Sequence, residues 1–299
     1  MKLFNKLFLS GYYFTIALRH NTGRNIIQDC KFVSEFTLKA NRQKWAADPV
    51  LVDYGSKTYL FYEAVEKDKG YIAVCEVYDD CSLSSPVPIL RDEHHYSYPL
   101  VFSANGSWYM IPESSSAEEV RLYKAVKFPY EWEKVTVLLR GRYVDTTVFS
   151  DGTMHYFLTF ESTGATECVI PKVFVFSLCD LTKGVRQLNW PEFDELKVRG
   201  AGPIMVREGA LIRPAQISTK YRYGDAIAFY AVDDYLPVYR EHMVSKLQSG
   251  DVKTNKYYVD GLHTYSSSQK FEAIDIRCRD FDFWKTPKKI YYWLKNKCK

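Results

Sequence analysis

The chain has 299 residues, 46% of them hydrophobic and 16% aromatic, which is ample for a large core and too apolar for a disordered chain. Its formal charge is +4, from 40 basic and 36 acidic residues, a mild balance that gives no ground for nucleic-acid binding. The sequence carries no zinc-finger spacing, Walker loop or dinucleotide fingerprint, and its seven cysteines include no CxxC pair, so most read as small buried hydrophobes of a reducing compartment.

At the N-terminus, Lys2 and Lys6 precede an apolar run that superficially suggests a signal peptide. Ser10, Gly11, Tyr12 and Tyr13 interrupt it, and a strand over Tyr12 to Arg19 is the stronger reading. No stretch reaches the roughly 20 apolar residues of a spanning helix. A turn at Asn21 to Arg24 and a strand within Lys31 to Leu38 come next. Then a pattern occurs three times: WAADPVLVDYGSKTYLFYE at 45–63, YPLVFSANGSWYMIPE at 98–113 and DTTVFSDGTMHYFLTFE at 145–161. Each copy is a short apolar strand, a Gly-containing turn and a second strand anchored by Tyr59, Tyr109 or Tyr156 and closed by Glu63, Glu113 or Glu161. The anchors lie 50 and 47 residues apart, the length of one propeller blade. Third strands follow each copy, and fourth strands fit Val87 to Leu90 and Val135 to Leu139.

Thr182 to Arg199 reads as polar and irregular. Gly209 to Pro214 is expected to be the inner strand of a fourth blade, with Ala226 to Val232 beside it. Gly261 to Cys278 supplies the fifth. The expectation is therefore an all-β fold, a single five-bladed β-propeller over residues 1–284 whose last blade is completed by the strand near Tyr12. Residues 285–299 form a basic aromatic tail, read either as a solvated end or as a peripheral contact with a membrane surface.

In a propeller, residues at the starts of the innermost strands converge on the axis. That column holds Asp48, Tyr98 and Asp145, and in the later blades the region Arg213 to Gln216 and His263 to Tyr265. Two carboxylates meeting there suit a glycosidic centre, one as base or nucleophile and one as acid. Asp48, Asp145 and Glu113 are the catalytic candidates. Arg213, Gln216, His263, Tyr98, Trp45, Tyr265 and Arg222 are the substrate-binding candidates, with the planar fork of Arg213 suited to an anionic group. Plainer readings stand beside these. Asp48 and Asp145 also fit turn or cap residues. Glu113 also fits a loop, Glu63 and Glu161 rim hydrogen bonding, and Trp45 and Tyr98 the core. His94 and His95 are adjacent and point apart in a strand, so neither a metal nor a cofactor is expected.

The segments DPVLVDYGSKTYLFYE, YPLVF with WYMIPES, YVDTTVF, LIRPAQ with YRYGDAI, and GLHTY with FEAID resemble the propeller domain of the glucosamine inositolphosphorylceramide transferase family, which also occurs in bacterial polysaccharide-biosynthesis proteins. That domain is similar in turn to five-bladed glycoside hydrolases such as arabinanases, xylosidases and fructosidases. The hydrolase resemblance implies a first-blade Asp base, matched by Asp48, together with a second Asp and a Glu acid. Here Tyr98 stands where a second-blade Asp is expected, which weakens plain hydrolysis, and Glu113 is the better acid candidate. Plant members carry the domain beside a separate nucleotide-sugar transferase domain. Three expectations follow. The leading one is a transferase of bacterial capsule or O-antigen assembly, cytoplasmic or peripheral at the membrane's inner face, moving sugar from an activated donor to a glycan or lipid-linked acceptor. The others are a glycoside hydrolase and a non-catalytic glycan-binding propeller.

Overall fold

The computed structural model describes residues 12–23, 32–33, 36–37, 45–152, 154–162, 169–188, 198–219, 222–253, 259–279 and 286–288. These form five antiparallel sheets arranged as a five-bladed β-propeller, and one parallel pair of two-residue strands, Phe32–Val33 with Val252–Lys253. Blade one comprises Ala46–Tyr54, Lys57–Glu66, Lys69–Val77 and Val87–Leu90. Blade two comprises Ser97–Ala104, Ser107–Glu113, Glu119–Lys127 and Glu131–Arg140. Blade three comprises Tyr143–Ser150, His155–Ser162, Val169–Phe176 and the short Arg186–Gln187. Each blade is a meander in sequence order, the natural product of apolar strands separated by tight Gly turns such as Gly55 and Gly106, both at positive φ.

Blade four departs from expectation. Ala210–Thr219 is its second strand rather than its inner one, and Arg222–Asp234 and Arg240–Gln248 complete the outer half. The inner position is filled by two short pieces, Arg199–Gly200 and Met205–Arg207, both pairing with Ala210–Thr219. Four residues, 201–204, lie between them, so the segment has too little regular strand to read as one. Blade five is built from both ends of the chain. Val259–Ser267 and Phe271–Cys278 form its inner half, Tyr13–His20 its third strand and Phe36–Thr37 its fourth. The N-terminal strand pairs with Phe271–Cys278 along its whole length, from Tyr13 opposite Cys278 to His20 opposite Phe271. That removes the open edge a ring of separate sheets would leave.

The core lies between blades. Val50, Phe61 and Val74 of blade one meet Tyr96, Val101 and Met110 at the blade-two boundary. Ile111 and Leu122 face Tyr143 and Val148 of blade three. Leu158, Phe160 and Val173 pack on Tyr239 beside blade four. Ile227, Phe229 and Leu247 pack on Leu262, Tyr265 and Ile274 of blade five. Ile16, Leu18 and Phe271 return to Leu60, Tyr62 and Tyr71 of blade one. Each boundary is a sheet-on-sheet contact made by alternate residues of both partners. Among the described residues Cys75, Cys81 and Cys278 are buried and Cys179 is exposed.

Candidate active site

The inner strands share one irregularity. In blade one the pairing skips from Ala47 opposite Glu63 to Val50 opposite Phe61, leaving Asp48 and Pro49 as a bulge. Blade two repeats this at Tyr98 and Pro99, blade three at Asp145 and Thr146, and blade five at His263 and Thr264. Asp48, Tyr98 and Asp145 adopt positive φ of 54°, 44° and 51°, a conformation that non-Gly residues rarely take. Bulges turn a side chain out of the sheet's alternation, and here four of them aim inward at one level. In blade four the same place in the chain is Gly202, at φ 130°. A Cβ there would stand 1.9 Å from the Tyr265 carbonyl oxygen, so only glycine fits.

The result is a funnel of about 570 Å³ whose lining includes Asp48, Glu63, Glu113, Asp145, Arg199 and His263. Trp45, Phe14 and Tyr223 give it an aromatic wall, with Phe14 edge-on to Trp45 at 5.4 Å. Asp48 is 4% exposed, and its carboxylate accepts from the Tyr98 N–H at 3.1 Å and the Thr264 hydroxyl at 2.9 Å. His263 Nδ1 lies 3.2 Å from it. Burial alone would push the Asp48 carboxyl up, but the charge and hydrogen bond of His263, with the two other donors, hold it below the usual value. His263 is the reciprocal case. Burial opposes its charge, yet Tyr223, Asp275 and Asp48 around it raise it well above the ordinary imidazole range.

Glu113 goes the other way. Burial first, then repulsion from Asp145, pushes it up to about 7, with Arg199 opposing. The two carboxyls of one opening are thus driven apart, one anionic and one able to hold a proton at neutral pH. Asp145 is clamped by Arg199, whose Nε and Nη2 reach its two oxygens at 2.5 and 3.0 Å. The Asp145 N–H donates to Glu113 at 3.3 Å. Glu63 accepts from Trp45 Nε1 at 3.1 Å and from His95 Nε2 at 2.9 Å. The Gly70 N–H already donates to His95 Nδ1 at 3.0 Å, which puts the ring proton on Nε2.

Of the expected residues, Asp48, Asp145, Glu113, His263 and Trp45 converge in the funnel. Tyr98 lies beneath it, 2% exposed, its hydroxyl spanning the axis to the backbone of Gly202: it accepts from the N–H at 2.7 Å and donates to the carbonyl at 3.0 Å. It plugs the axis and has no open face for a sugar. Arg213, expected at the start of an inner strand, lies on the second strand of blade four, fully buried and paired in bidentate fashion with Glu241. Gln216, on the same strand, donates to Ser218, and Tyr265 is core and donates to Glu272. Arg222 begins the third strand of blade four, and its side chain is outside the described residues.

Arg199, Tyr223 and Phe14 line the funnel without having been candidates, Arg199 because it sits at the end of a stretch read as irregular. The motif Gly202–Pro203, matching Asp48–Pro49 and Tyr98–Pro99, was the available signal. His95 and Glu63 also face the opening, while Glu161 pairs with Lys172 on the other side of its strand. The ligand atoms of Asp48, His263 and Asp275 lie within 4.8 Å of one another, close enough to reach one metal ion. Asp275 already accepts from the N–H groups of Asp48, His263 and Thr264 and from His263 Nδ1, so this donor set is spent on an internal ion pair.

A carboxylate-lined axial funnel in a five-bladed propeller defines a class of proteins built to hold a compact polar ligand. The chain belongs to the family described as glucosamine inositolphosphorylceramide transferase 1, N-terminal, which it matches over residues 23–269. It is 33% identical over 134 residues to glucosamine inositolphosphorylceramide transferase 1 of Arabidopsis thaliana, covering 44% of this chain and 18% of that protein. The protein of the same name from Oryza sativa subsp. indica is 30% identical over 196 residues, covering 63% of this chain and 26% of that one. The chain therefore spans about a quarter or less of these relatives. The fold is similar to that of an alpha-L-arabinofuranosidase from Podospora anserina, with a TM-score of 0.60 at 8% identity over 82% of this chain and 95% of that one. It is also similar to that of beta-1,2-mannobiose phosphorylase from Listeria innocua, with a TM-score of 0.56 at 11% identity over 83% and 92% of the two chains.

Proposed function

We propose that the protein is an enzyme acting at glycosidic bonds, transferring a sugar from an activated donor to a glycan or lipid-linked acceptor. The observation that carries this reading is the opposed proton affinity of two carboxyls in one funnel, Glu113 raised to about 7 and Asp48 held below its usual value. Glu113 gives its proton to the leaving oxygen. Asp48 either attacks the anomeric carbon or takes the acceptor's proton. Asp145, balanced by Arg199, sets the proton affinity of Glu113. Arg199 spends Nε and Nη2 on Asp145 and leaves Nη1 for the substrate, the part first assigned to Arg213. Trp45, pinned by Glu63, offers a flat face for a sugar ring. Membership of a family named for a sugar transferase supports a carbohydrate substrate.

The finer proposal is assembly of bacterial surface polysaccharide, capsule or O-antigen, at the cytoplasmic side of the membrane. No described helix is long and apolar enough to cross a membrane, and the tail at 285–299 that would touch lipid lies, apart from 286–288, outside the described residues. The test is a purified-protein assay with nucleoside-diphosphate sugars and lipid-linked sugars as donors and polysaccharides as acceptors. Donor-dependent product, lost in Asp48→Asn, is the expected result. Release of free sugar from simple glycosides without transfer makes the protein a hydrolase. Glycan binding that survives Asp48→Asn, with no turnover by the unaltered protein, makes it a binding module.

A further inference from the structure

One chain of groups at the base of the funnel has no part in the proton transfer just described. Asp275 is fully buried on the second strand of blade five and accepts from three backbone N–H groups and from His263 Nδ1 at 2.9 Å. His263 Nε2 lies 2.8 Å from the Tyr223 hydroxyl. The groups around the imidazole are Asp48 from blade one, Asp275 and Thr264 from its own blade, Tyr223 from blade four and the Phe14 ring from the N-terminal strand. Two buried carboxylates share one ring nitrogen, which keeps a proton on Nδ1 and favours a second on Nε2.

We propose that Asp275, His263 and Tyr223 form a fixed-charge relay that makes Tyr223 an obligate hydrogen-bond donor to an oxygen of the bound sugar. The proposal rests on the glycan-acting reading of the funnel. Its logic is one of donors and acceptors. An imidazolium has no acceptor site, so Nε2–H must donate to the Tyr223 oxygen. The tyrosine's own proton cannot point back at His263 and is turned into the funnel, which Tyr223 lines. The Arg277 guanidinium donates to the Tyr223 backbone carbonyl, fixing the residue's position. The Arg199 guanidinium carbon lies 5.7 Å from the ring centroid, holding the ring from the other side.

Asp275 explains why the charge is stable. Asp48 gives up its negative charge during the reaction, either by bonding to the sugar or by taking a proton. Asp275 remains as the second counter-ion, so His263 stays charged and the Tyr223 proton keeps its direction throughout turnover. Tyr223 is then the substrate-contacting residue and Asp275 a positioning residue.

The experiment combines Tyr223→Phe, which removes one oxygen, with Asp275→Asn, each checked by its melting curve. In the intact protein, nitrogen NMR of His263 should show both ring protons retained above neutral pH, and titration with xylo-, manno- and malto-oligosaccharides should shift the Nε2 signal for the sugar that binds. Tyr223→Phe should bind that sugar several-fold more weakly, lose the Nε2 shift and lower kcat about 100-fold. Asp275→Asn, if it folds, should lose the Nε2 proton at alkaline pH, because Asp48 still holds the proton on Nδ1 and the Tyr223 hydroxyl can then donate to a bare Nε2. Unaltered kcat in Tyr223→Phe, or a single ring proton on His263 at pH 7, overturns the relay while leaving the transferase reading intact. A sugar-dependent Nε2 shift in a protein that never turns over supports the relay and ends the enzymatic reading.

Discussion

The most informative single residue is Glu113, because its burial and its chemistry pull in opposite directions. Unfolded, a glutamate ionises near 4.5; here the carboxyl is pushed up to about 7, by burial first and by Asp145 second. Between those values the folded chain keeps a proton that the unfolded chain has released. Stability therefore falls as pH rises through that window, and the full cost is present above about 7. Glu113→Gln removes the ionisation and keeps the shape. It should raise stability at pH 8 by about 1–3 kcal/mol and leave stability at pH 4 little changed. The same substitution should abolish turnover of substrates that need a protonated leaving group. On the proposed mechanism, the unaltered protein should lose kcat/KM above pH about 7 as the acid ionises. Melting curves of both proteins at pH 4 and 8, with a pH–rate profile, check all three outcomes. A melting difference of the same size at both pH values would mean that Glu113 is not held protonated by its surroundings.

At the scale of the strand, the deciding device is the two-residue bulge, and it also marks where the sequence was legible. Asp48–Pro49, Tyr98–Pro99 and Asp145–Thr146 fall at one place in three repeats with strong apolar strands around them, so their column was visible. Blade four hides the same device. Its inner strand is cut into pieces of two and three residues, and the column member is a glycine with no side chain to notice. The apolar run at Gly209 to Pro214 reads as the inner strand instead, and Arg213 with it, although it belongs to the second strand, Ala210–Thr219. A subtler signal lay in spacing. Tyr59 to Glu63 and Tyr109 to Glu113 are four residues apart, whereas Tyr156 to Glu161 is five. One residue of offset reverses the face of a strand, so Glu63 and Glu113 reach the funnel while Glu161 is drawn to Lys172. No periodicity could reveal the Asp275 contact with the Asp48 N–H, because it joins residues 227 apart in the chain. Gly202→Ala tests the device directly. Its Cβ would collide with the Tyr265 backbone at a φ that L-residues avoid, so a loss of several kcal/mol is expected, enough to unfold a domain of ordinary stability. Expression and melting beside the neighbouring Pro203→Ala control check it. A Gly202→Ala protein that melts like the parent would show that the blade-four crossing can shift without consequence.

For the whole molecule, the question is what closes five separate sheets into a ring. The answer in this chain is one strand. Tyr13–His20 pairs along its full length with Phe271–Cys278, and its residues reach both neighbouring boundaries: Ile16 and Leu18 in the core shared with blade one, Ala17 in that shared with blade four. Burying Phe14, Ile16 and Leu18 contributes on the order of 5–9 kcal/mol at about 1.5–3 kcal/mol per large apolar side chain. Set against a total of about 5–15 kcal/mol for a typical domain, that is enough to decide whether the ring exists. The strand also shapes the candidate site, since Phe14 forms part of the funnel wall and packs 5.1 Å from His263. Closure and site assembly are thus one event. A chain lacking residues 1–20 should lose its cooperative melt and its sugar binding together. A synthetic peptide of residues 12–23 added in trans should restore both with the same concentration dependence, because the peptide replaces a sheet edge and a site wall at once. Recovery of the melt without recovery of binding would separate the two roles and place Phe14 outside the site.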